Sequence, residues 1–503
     1  MAHLKGFGLE NFRVFKEHTW FDFAPITLLI GPNSSGKSSL TKALMLLKSN
    51  FLKYGGHKLD IESDEISLEL GNFERVRNKD SQSNYLTFSF PFELVNFPTL
   101  GESKIAKRKF EYLVEGSDKC SLKRHYLEYS GEVFIDFCWA EKKVKINTNI
   151  IHENLFFDDT NLKIVEDKEG TYVDNEKVFE FRIEDSALNY SPKRLIRAKN
   201  RQELDEILNL YKLKKSGEFV EIPTEISYMN YSWNGYEEIE FEDIYYEEKP
   251  IEAVLKEAKY SAAQINYIEN IIFQNFKKNI VDYLYNVEGK FNFKSQPKRI
   301  YRKEEKDLFN ELLSLYAESK SEKSFNLINK WVKKFNLIQE FEYHFDSKYN
   351  FQTINFGLPL VEQGLGLSNI MTLLLRLSIF DKPDTTIIFE EPETNLHPAF
   401  QSRLADLFLD AKNSNSFQQF IIETHSEYMV RKFQYLVAKG EMKKEDIVIY
   451  YFHDPNNVPE GEKQVKKIEI LEDGSLSDDF GTGFFDEADN LAINLFNLQN
   501  RKN

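Results

Sequence analysis

Residues 24–52 read APITLLIGPNSSGKSSLTKALMLLKSNFL: an apolar run, a glycine-bearing turn, then apolar residues recurring at Leu40, Ala43, Leu44 and Leu47. The first part has the composition of a buried strand and the last part the spacing of a helix. The turn between them satisfies the pattern G-x-x-x-x-G-K-[ST] at Gly31, Gly36, Lys37 and Ser38. Two glycines let the backbone amides curl around an anion, and the helix that follows points its positive end at the same place. The loop from Gly31, Pro32, Asn33, Ser34 and Ser35 through Gly36 to Lys37, Ser38 and Ser39 is therefore a candidate polyphosphate cradle. Lys37 would reach the outer phosphates of ATP, and Ser38 would offer its hydroxyl to Mg2+.

Upstream, Leu4 to Phe12 and Trp20 to Phe23 read as two short strands joined by RVFKEHT. Downstream, alternating segments such as KRKFEYLVE and LKRHYLEYSGEVFIDFCWAEKKVKINTNI predict an antiparallel sheet ending near residue 185;. From about 191 to 345 the period shifts towards 3.6, in RQELDEILNLYKLK, IEAVLKEAKYSAAQINYIENIIFQNFKKNIVDYLYNV and KDLFNELLSLYAE;. A compact helical lid or brace is the plain reading of that stretch, since no heptad pattern is sustained as a long coiled-coil arm requires.

The second informative segment is TTIIFEEPETNLHPAFQSRLADLF. A strand at Thr386 to Phe389 delivers Glu390 and Glu391 to the strand end, where open α/β sheets place their chemistry;. Glu390 is suited to hold Mg2+ through water beside Ser38, and Glu391 to polarise an attacking water. A further strand in FQQFIIETHSEYMV sets His425 within reach of a γ-phosphate or of that water, and Ser426 and Glu427 start the next helix;. Between the helical stretch and the carboxylates lies LPLVEQGLGLSNIMTLLLRLSIF. There Gly364 and Gly366 lead into an apolar helix, with Ser368 placed as its cap. The same segment also reads as an amide-rich helix start offered to a phosphate held by a second molecule.

Composition narrows the class. The chain has 503 residues, 41% apolar, with 14% aromatic, which suits a large folded core of two or three units;. Its net charge of -16 argues against coating nucleic acid through the overall field, though a local basic groove for DNA or RNA stays open;. The tract YEEIEFEDIYYEEKP from Tyr236 would repel a phosphate backbone and also reads as a solvated acidic loop;. Only Cys120 and Cys138 are present, too few for a thiolate metal cluster;. No segment reads as membrane-spanning or as a signal peptide, so a cytoplasmic protein is expected.

Together, GPNSSGKSS, GLGLSN, IIFEEPETNLHP and ETHSE resemble the ABC-type ATPases of the SMC/Rad50/OLD lineage, more closely the AAA-15/AAA-21 group of bacterial defence. The tail VKKIEILEDGSLSDDFGTGFFDEADNLA looks like the DUF3696 ending of such ATPases; its own pattern is a hairpin followed by a helix. The resemblance implies a split α/β ATPase head with a mixed central sheet and an antiparallel side sheet. Its parts would be an N-terminal lobe at 1–185, a mainly helical insertion at 186–345 and a C-terminal lobe at 346–503. It makes Lys37 and Ser38 the Walker A pair, Glu390 and Glu391 the Walker B and catalytic glutamates, and His425 the switch histidine. Gly364 to Asn369 would be a divergent signature and Glu393 to His397 the D-loop region, with Ser368 of one head facing Lys37 of another across two ATPs and their Mg2+ ions. The Q-loop lacks a clear glutamine, and Leu70 to Asn78 occupies the expected region. The implied protein is a homodimeric regulatory ATPase, open to higher assembly, that controls a separate effector such as a nuclease in antiphage defence. The alternative is a DNA-repair or recombination ATPase that clamps DNA between its heads.

Overall fold

In the computed structural model the opening segment forms the strand and helix that its pattern predicts. The structure describes residues 4–54, 58–61, 70–94, 104–115, 119–129, 131–138, 143–147, 162–173, 176–185, 194–198 and 219–223. Beyond these it describes 287–291, 301–302, 322–336, 342–346, 351–355, 365–379, 385–414, 418–481 and 485–500. The helical readings of 201–214, 251–286 and 306–318 fall outside the described residues.

The chain divides into two compact units, one of residues 1–55, 61–82 and 283–503, the other of 56–60 and 83–282. The first unit begins with the antiparallel hairpin β1 (Gly6–Glu10) and β2 (Thr19–Asp22), followed by β3 (Ile26–Ile30) and α1 (Lys37–Tyr54). Its later elements are β4 (Val287–Phe291), α2 (Glu322–Lys334), α3 (Leu365–Ile379), β5 (Thr386–Glu390) and α4 (Pro398–Ser414). Then come β6 (Gln419–Glu423), α5 (Glu427–Ala438), β7 (Ile447–Phe452), β8 (Val465–Ile468) and α6 (Glu487–Asn500).

Six strands form the central sheet in the order β4-β5-β6-β3-β7-β8, parallel except for the β7–β8 hairpin. Strands β3, β6 and β7 are buried at every residue, as parallel strands covered on both faces must be;. On one face Leu28 joins Ile26, Ile30, Phe389, Phe420, Ile422 and Ile449 in a core shared with α2, α3, α4 and α5. The predicted apolar repeat of α1, Leu40, Ala43, Leu44 and Leu47, is wholly buried.

Gln419 ties the base of this sheet together. Its Oε1 accepts from the Leu4 amide at 2.9 Å and the Thr386 hydroxyl at 2.8 Å, and its Nε2 donates to the carbonyls of Leu4 and Ala24, both at 3.0 Å. Replacement by Met keeps the volume and strands those groups in a dry core. Gln419→Met is expected to lower unfolding free energy by about 2–4 kcal/mol, read from urea denaturation. An unchanged midpoint would mean that the four groups find other partners.

In the second unit, strands Phe219–Pro223, Lys143–Asn147, Glu132–Cys138, Lys119–Tyr129, Lys104–Glu115 and Tyr85–Leu94 follow one another in an antiparallel ladder, with Lys58–Asp60 also on Lys119–Tyr129. Leu162–Val173, Glu176–Asp185 and Arg194–Ala198 form a separate antiparallel sheet. Cys120 and Cys138 both lie on strands, and Cys120 is buried.

The division of the chain differs from the one drawn at 185 and 345. Val287 and Glu288 pair in parallel with Thr386 and Ile387, so β4 is a strand of the central sheet and not part of an insertion. Helix α2 likewise contributes Ile328, Trp331 and Val332 to the central core, and its Trp331 indole and Lys330 both donate to Asp410 of α4. Helical periodicity running up to residue 287 conceals where that strand begins, because only its pairing partner distinguishes it.

Candidate functional site

The glycine loop leaves β3 in conformations that explain its composition. Gly31 has φ +149 and a Cβ there would sit 2.3 Å from the Phe452 carbonyl oxygen; Gly36 has φ +109 and a Cβ would meet Val14 Cγ2 at 2.2 Å. Ser34 between them has φ 63. The loop is thus held open by backbone that side chains would fill. Gly31→Ala places a methyl against a main-chain carbonyl that cannot swing away. It is expected to cost about 2–3 kcal/mol of stability before any ligand is added, seen as a lowered melting temperature.

Lys37, only 6% exposed, starts α1 and folds back along the loop, donating to the carbonyls of Gly31 at 2.8 Å and Pro32 at 2.7 Å. Inside the loop Ser35 Oγ is buried, faces Gly31 and has no hydrogen-bond partner. The Gln464 side chain, just before β8, donates to the Ser35 carbonyl at 3.1 Å and braces the loop from the hairpin side.

Strands β5 and β6 end beside this loop. Glu390, the last residue of β5, lies in register with Glu423, the last of β6. The carboxylate that reaches Ser38 is Glu423, a residue that the sequence reading passed over: Ser38 Oγ donates to its Oε2 at 2.7 Å and Thr41 Oγ1 to its Oε1 at 2.6 Å. Glu391 follows with φ 44 and donates its amide to the Glu423 carbonyl at 2.8 Å. A non-glycine residue held at positive φ stores strain of the kind that gathers at working sites. Its half-exposed carboxylate lies 3.7 Å from His425 Nε2, which has no hydrogen-bond partner.

His425 is positioned by Glu393, which the resemblance placed at the start of the D-loop and to which sequence reasoning assigned no partner. Glu393 is buried, and its Oε1 accepts from the His425 amide at 2.7 Å. Ser426 caps α5 as expected, its hydroxyl oxygen accepting from the Met429 amide. An acid ending a fully buried strand, as in QFIIE, is the signal that would have found Glu423; Glu393 carried none beyond its place after Glu390 and Glu391.

Burial pushes the Lys37 ammonium down, against the opposing pull of Glu423, Glu391 and Glu393. Burial also raises the Glu393 carboxyl, which the His425 amide partly offsets. His425 is lowered from its ordinary 6.5 by burial and then by Lys37, with Glu391 opposing, so its ring is neutral at neutral pH;. The unfolded chain accepts a proton near 6.5 that folded His425 resists, so this residue withdraws stability as pH falls through that region. The raised Glu393 does the reverse, its contribution being lost as pH rises through its elevated value.

The signature-like segment differs from the expectation. Helix α3 begins at Leu365, so Gly366 and Ser368 lie inside its first turn and Ser368 is not the cap. Gly366 is used for close packing: a Cβ there would sit 2.7 Å from the Asn395 carbonyl oxygen. Asn369 donates to the Thr394 carbonyl at 2.8 Å, which fixes α3 against the loop that follows Glu391. Within the expected Q-loop region, Asn72 caps the single helical turn Phe73–Val76, and Asn78 donates to the Arg13 carbonyl at 2.7 Å.

Lys37, Ser38, Glu391, Glu393, Glu423 and His425 thus meet around one glycine loop. Among the described residues no group of three His, Cys, Asp or Glu is placed to hold a metal by itself. A cation such as Mg2+ is usually shared between few protein ligands, water and phosphate oxygens, and the Ser38 hydroxyl beside the two strand-end glutamates offers such ligands;. The open loop and the unpartnered Ser35 Oγ fit a polyphosphate in the same way;.

A parallel sheet with a phosphate loop on an inner strand, and carboxylates ending the neighbouring strands, defines an ATPase of the phosphate-loop class. The chain matches the AAA ATPase domain family over residues 3–430 and belongs to it. Residues 442–495 match a second family, described as protein of unknown function (DUF3696). No curated protein matches the chain. Similar solved structures include the SMC head domain from Thermotoga maritima, 10% identical, covering 94% of this chain and 100% of that one, TM-score 0.35. Another is the Pyrococcus furiosus Smc head with an extended coiled coil, bound to the C-terminal domain of ScpA: 12% identical, 93% and 97% covered, TM-score 0.37. A third, an Smc head bound to the C-winged helix domain of ScpA, is 11% identical over 93% and 98%, TM-score 0.34. Among the described residues no helix is long and apolar enough to cross a membrane.

Proposed function

We propose that the protein hydrolyses ATP in a composite site closed by a second copy of itself, and that this closure controls a separate effector in antiphage defence. The observation that carries the hydrolytic part is the meeting of Glu391 and a neutral His425 at 3.7 Å beside the loop that holds Lys37. In this reading the amides from Gly31 to Ser39 and the Lys37 ammonium bind the polyphosphate. Ser38 and Glu390 are the residues that would hold Mg2+, which would supply neutralisation of the phosphate charge. Glu391 accepts a proton from the attacking water. The Nε2 of the neutral His425 ring, which has no hydrogen-bond partner within the protein, can share a hydrogen bond with the same water, while Glu393 holds its backbone in place;. Gly366 and Ser368 of the second copy complete the site, and Asn369 and Thr394 link α3 to the catalytic loop. Occupancy would shift the population from open to closed heads, because only the closed pair gains the contacts made across both nucleotides.

The test is the mass of purified Glu391→Gln protein with and without ATP and Mg2+, together with the product of the adjacent gene. ATP-dependent growth to a dimer that retains the neighbour is the expected result. A protein that stays monomeric with ATP bound would remove the composite site. A dimer that ignores the neighbour would remove the effector.

A further inference from the structure

We propose that Glu423 is a positioning residue for the divalent cation, acting through Ser38, a role that rests on the ATPase reading above. Serine has one hydroxyl hydrogen, and in Ser38 it is directed at Glu423 Oε2, 2.7 Å away. That fixes the rotor, and it leaves the lone pairs of Oγ as the side of the hydroxyl that can face a cation. A serine whose hydroxyl rotates freely must lose that freedom when it becomes a ligand; this one is already oriented.

Glu423 itself is held still. Its other oxygen accepts from Thr41, one turn further along α1, at 2.6 Å, so both carboxylate oxygens grip the first turn of the same helix. The residue is 3% exposed, and its backbone lies between β3 and β5, in register with Leu29 on one side and Glu390 on the other. The carboxylate that fixes Ser38 and the one assigned to the cation's water shell are therefore carried on adjacent strands at the same level. A second and independent sign that this corner takes a ligand is Ser35 Oγ, fully buried within the adjoining loop and without a partner.

The bland alternative is that Glu423 merely ties down α1 and stabilises the fold. The two roles separate in the affinity for the cation. Mn2+ can stand in for Mg2+ and be followed by the paramagnetic resonance of the free ion, in full-length protein saturated with a non-hydrolysable ATP analogue. Glu423→Ala, which leaves the Ser38 hydroxyl unanchored, is expected to weaken Mn2+ binding to the nucleotide complex by at least about tenfold. Affinity for the analogue in EDTA should not fall, because removing a negative charge beside a polyphosphate does not weaken its binding. Glu423→Gln keeps the shape and one acceptor for Ser38 and should recover part of the loss; it is also the variant to read should the alanine protein not fold.

Mn2+ affinity equal to wild type in the folded variants, with only the melting temperature lowered, would overturn the assignment and leave Glu423 a structural tie. A wild-type protein that takes up Mn2+ and analogue normally while the variants do likewise thus sinks this inference alone. A wild-type protein that binds neither would overturn the ATPase reading together with it.

Discussion

A Glu391→Gln protein is expected to hydrolyse ATP about a hundredfold to ten-thousandfold more slowly than wild type while still binding it. The argument begins with the backbone. Glu391 leaves the end of β5 at φ 44, with its amide spent on the Glu423 carbonyl, so the side chain is aimed by a strained main chain rather than by its own packing. That aim brings Oε1 to 3.7 Å from His425 Nε2 while leaving the carboxylate about half in solvent, where a water can reach it and give up a proton. Glutamine has the same shape and the same strain at positive φ, but cannot serve as the base. Melting temperature should therefore hardly move, with a change within about 0.5 kcal/mol. Turnover equal to wild type, measured by phosphate release, would exclude Glu391 as the base; a large loss of stability would mean that its charge serves the fold.

The second large effect is expected from Lys37→Ala, which should weaken ATP binding about tenfold to a hundredfold, as loss of a charged donor to phosphate does. Burial holds the Lys37 ammonium down while Glu423, Glu391 and Glu393 draw it back up, and the residue is nearly buried. Its removal takes away the cation on which all three carboxylates act. The variant should accordingly melt lower than wild type at pH 8 and recover part of the difference at pH 6, where the already raised Glu393 carboxyl takes up a proton more readily;. Isothermal titration with an ATP analogue reads the first effect and scanning calorimetry at the two pH values the second. Undiminished affinity would remove Lys37 from the phosphate site.

What could be read in advance was chemistry carried by neighbours in sequence. The phosphate loop, the Glu390 and Glu391 pair and His425 each combine a strand with a turn or a helix, and local pattern suffices to place them. Glu423 and Glu393 could not be assigned in the same way. One acts on α1, which is distant in the chain, and the other on the backbone of His425 just past the next strand, so each acquires its partner only when the sheet assembles. Gly366 was similarly read for its freedom of turning, whereas its missing side chain serves close approach to the Asn395 carbonyl. Strand β4 escaped because five residues at the end of a helical pattern do not announce a partner that lies at Thr386 to Phe389.

The place of β3 in the sheet has a consequence during synthesis. Its two neighbours, β6 and β7, follow it only several hundred residues later, so the strand that carries the phosphate loop leaves the ribosome ahead of both partners. At about 5–20 residues per second, tens of seconds pass before Phe420 and Ile447 emerge, and throughout that time Ile26 to Ile30 is an unpaired apolar edge. A strand kept waiting that long is open to pairing with other chains until β6 and β7 follow. Chains broken off before β7 should accumulate as aggregates rather than as partial ATPases.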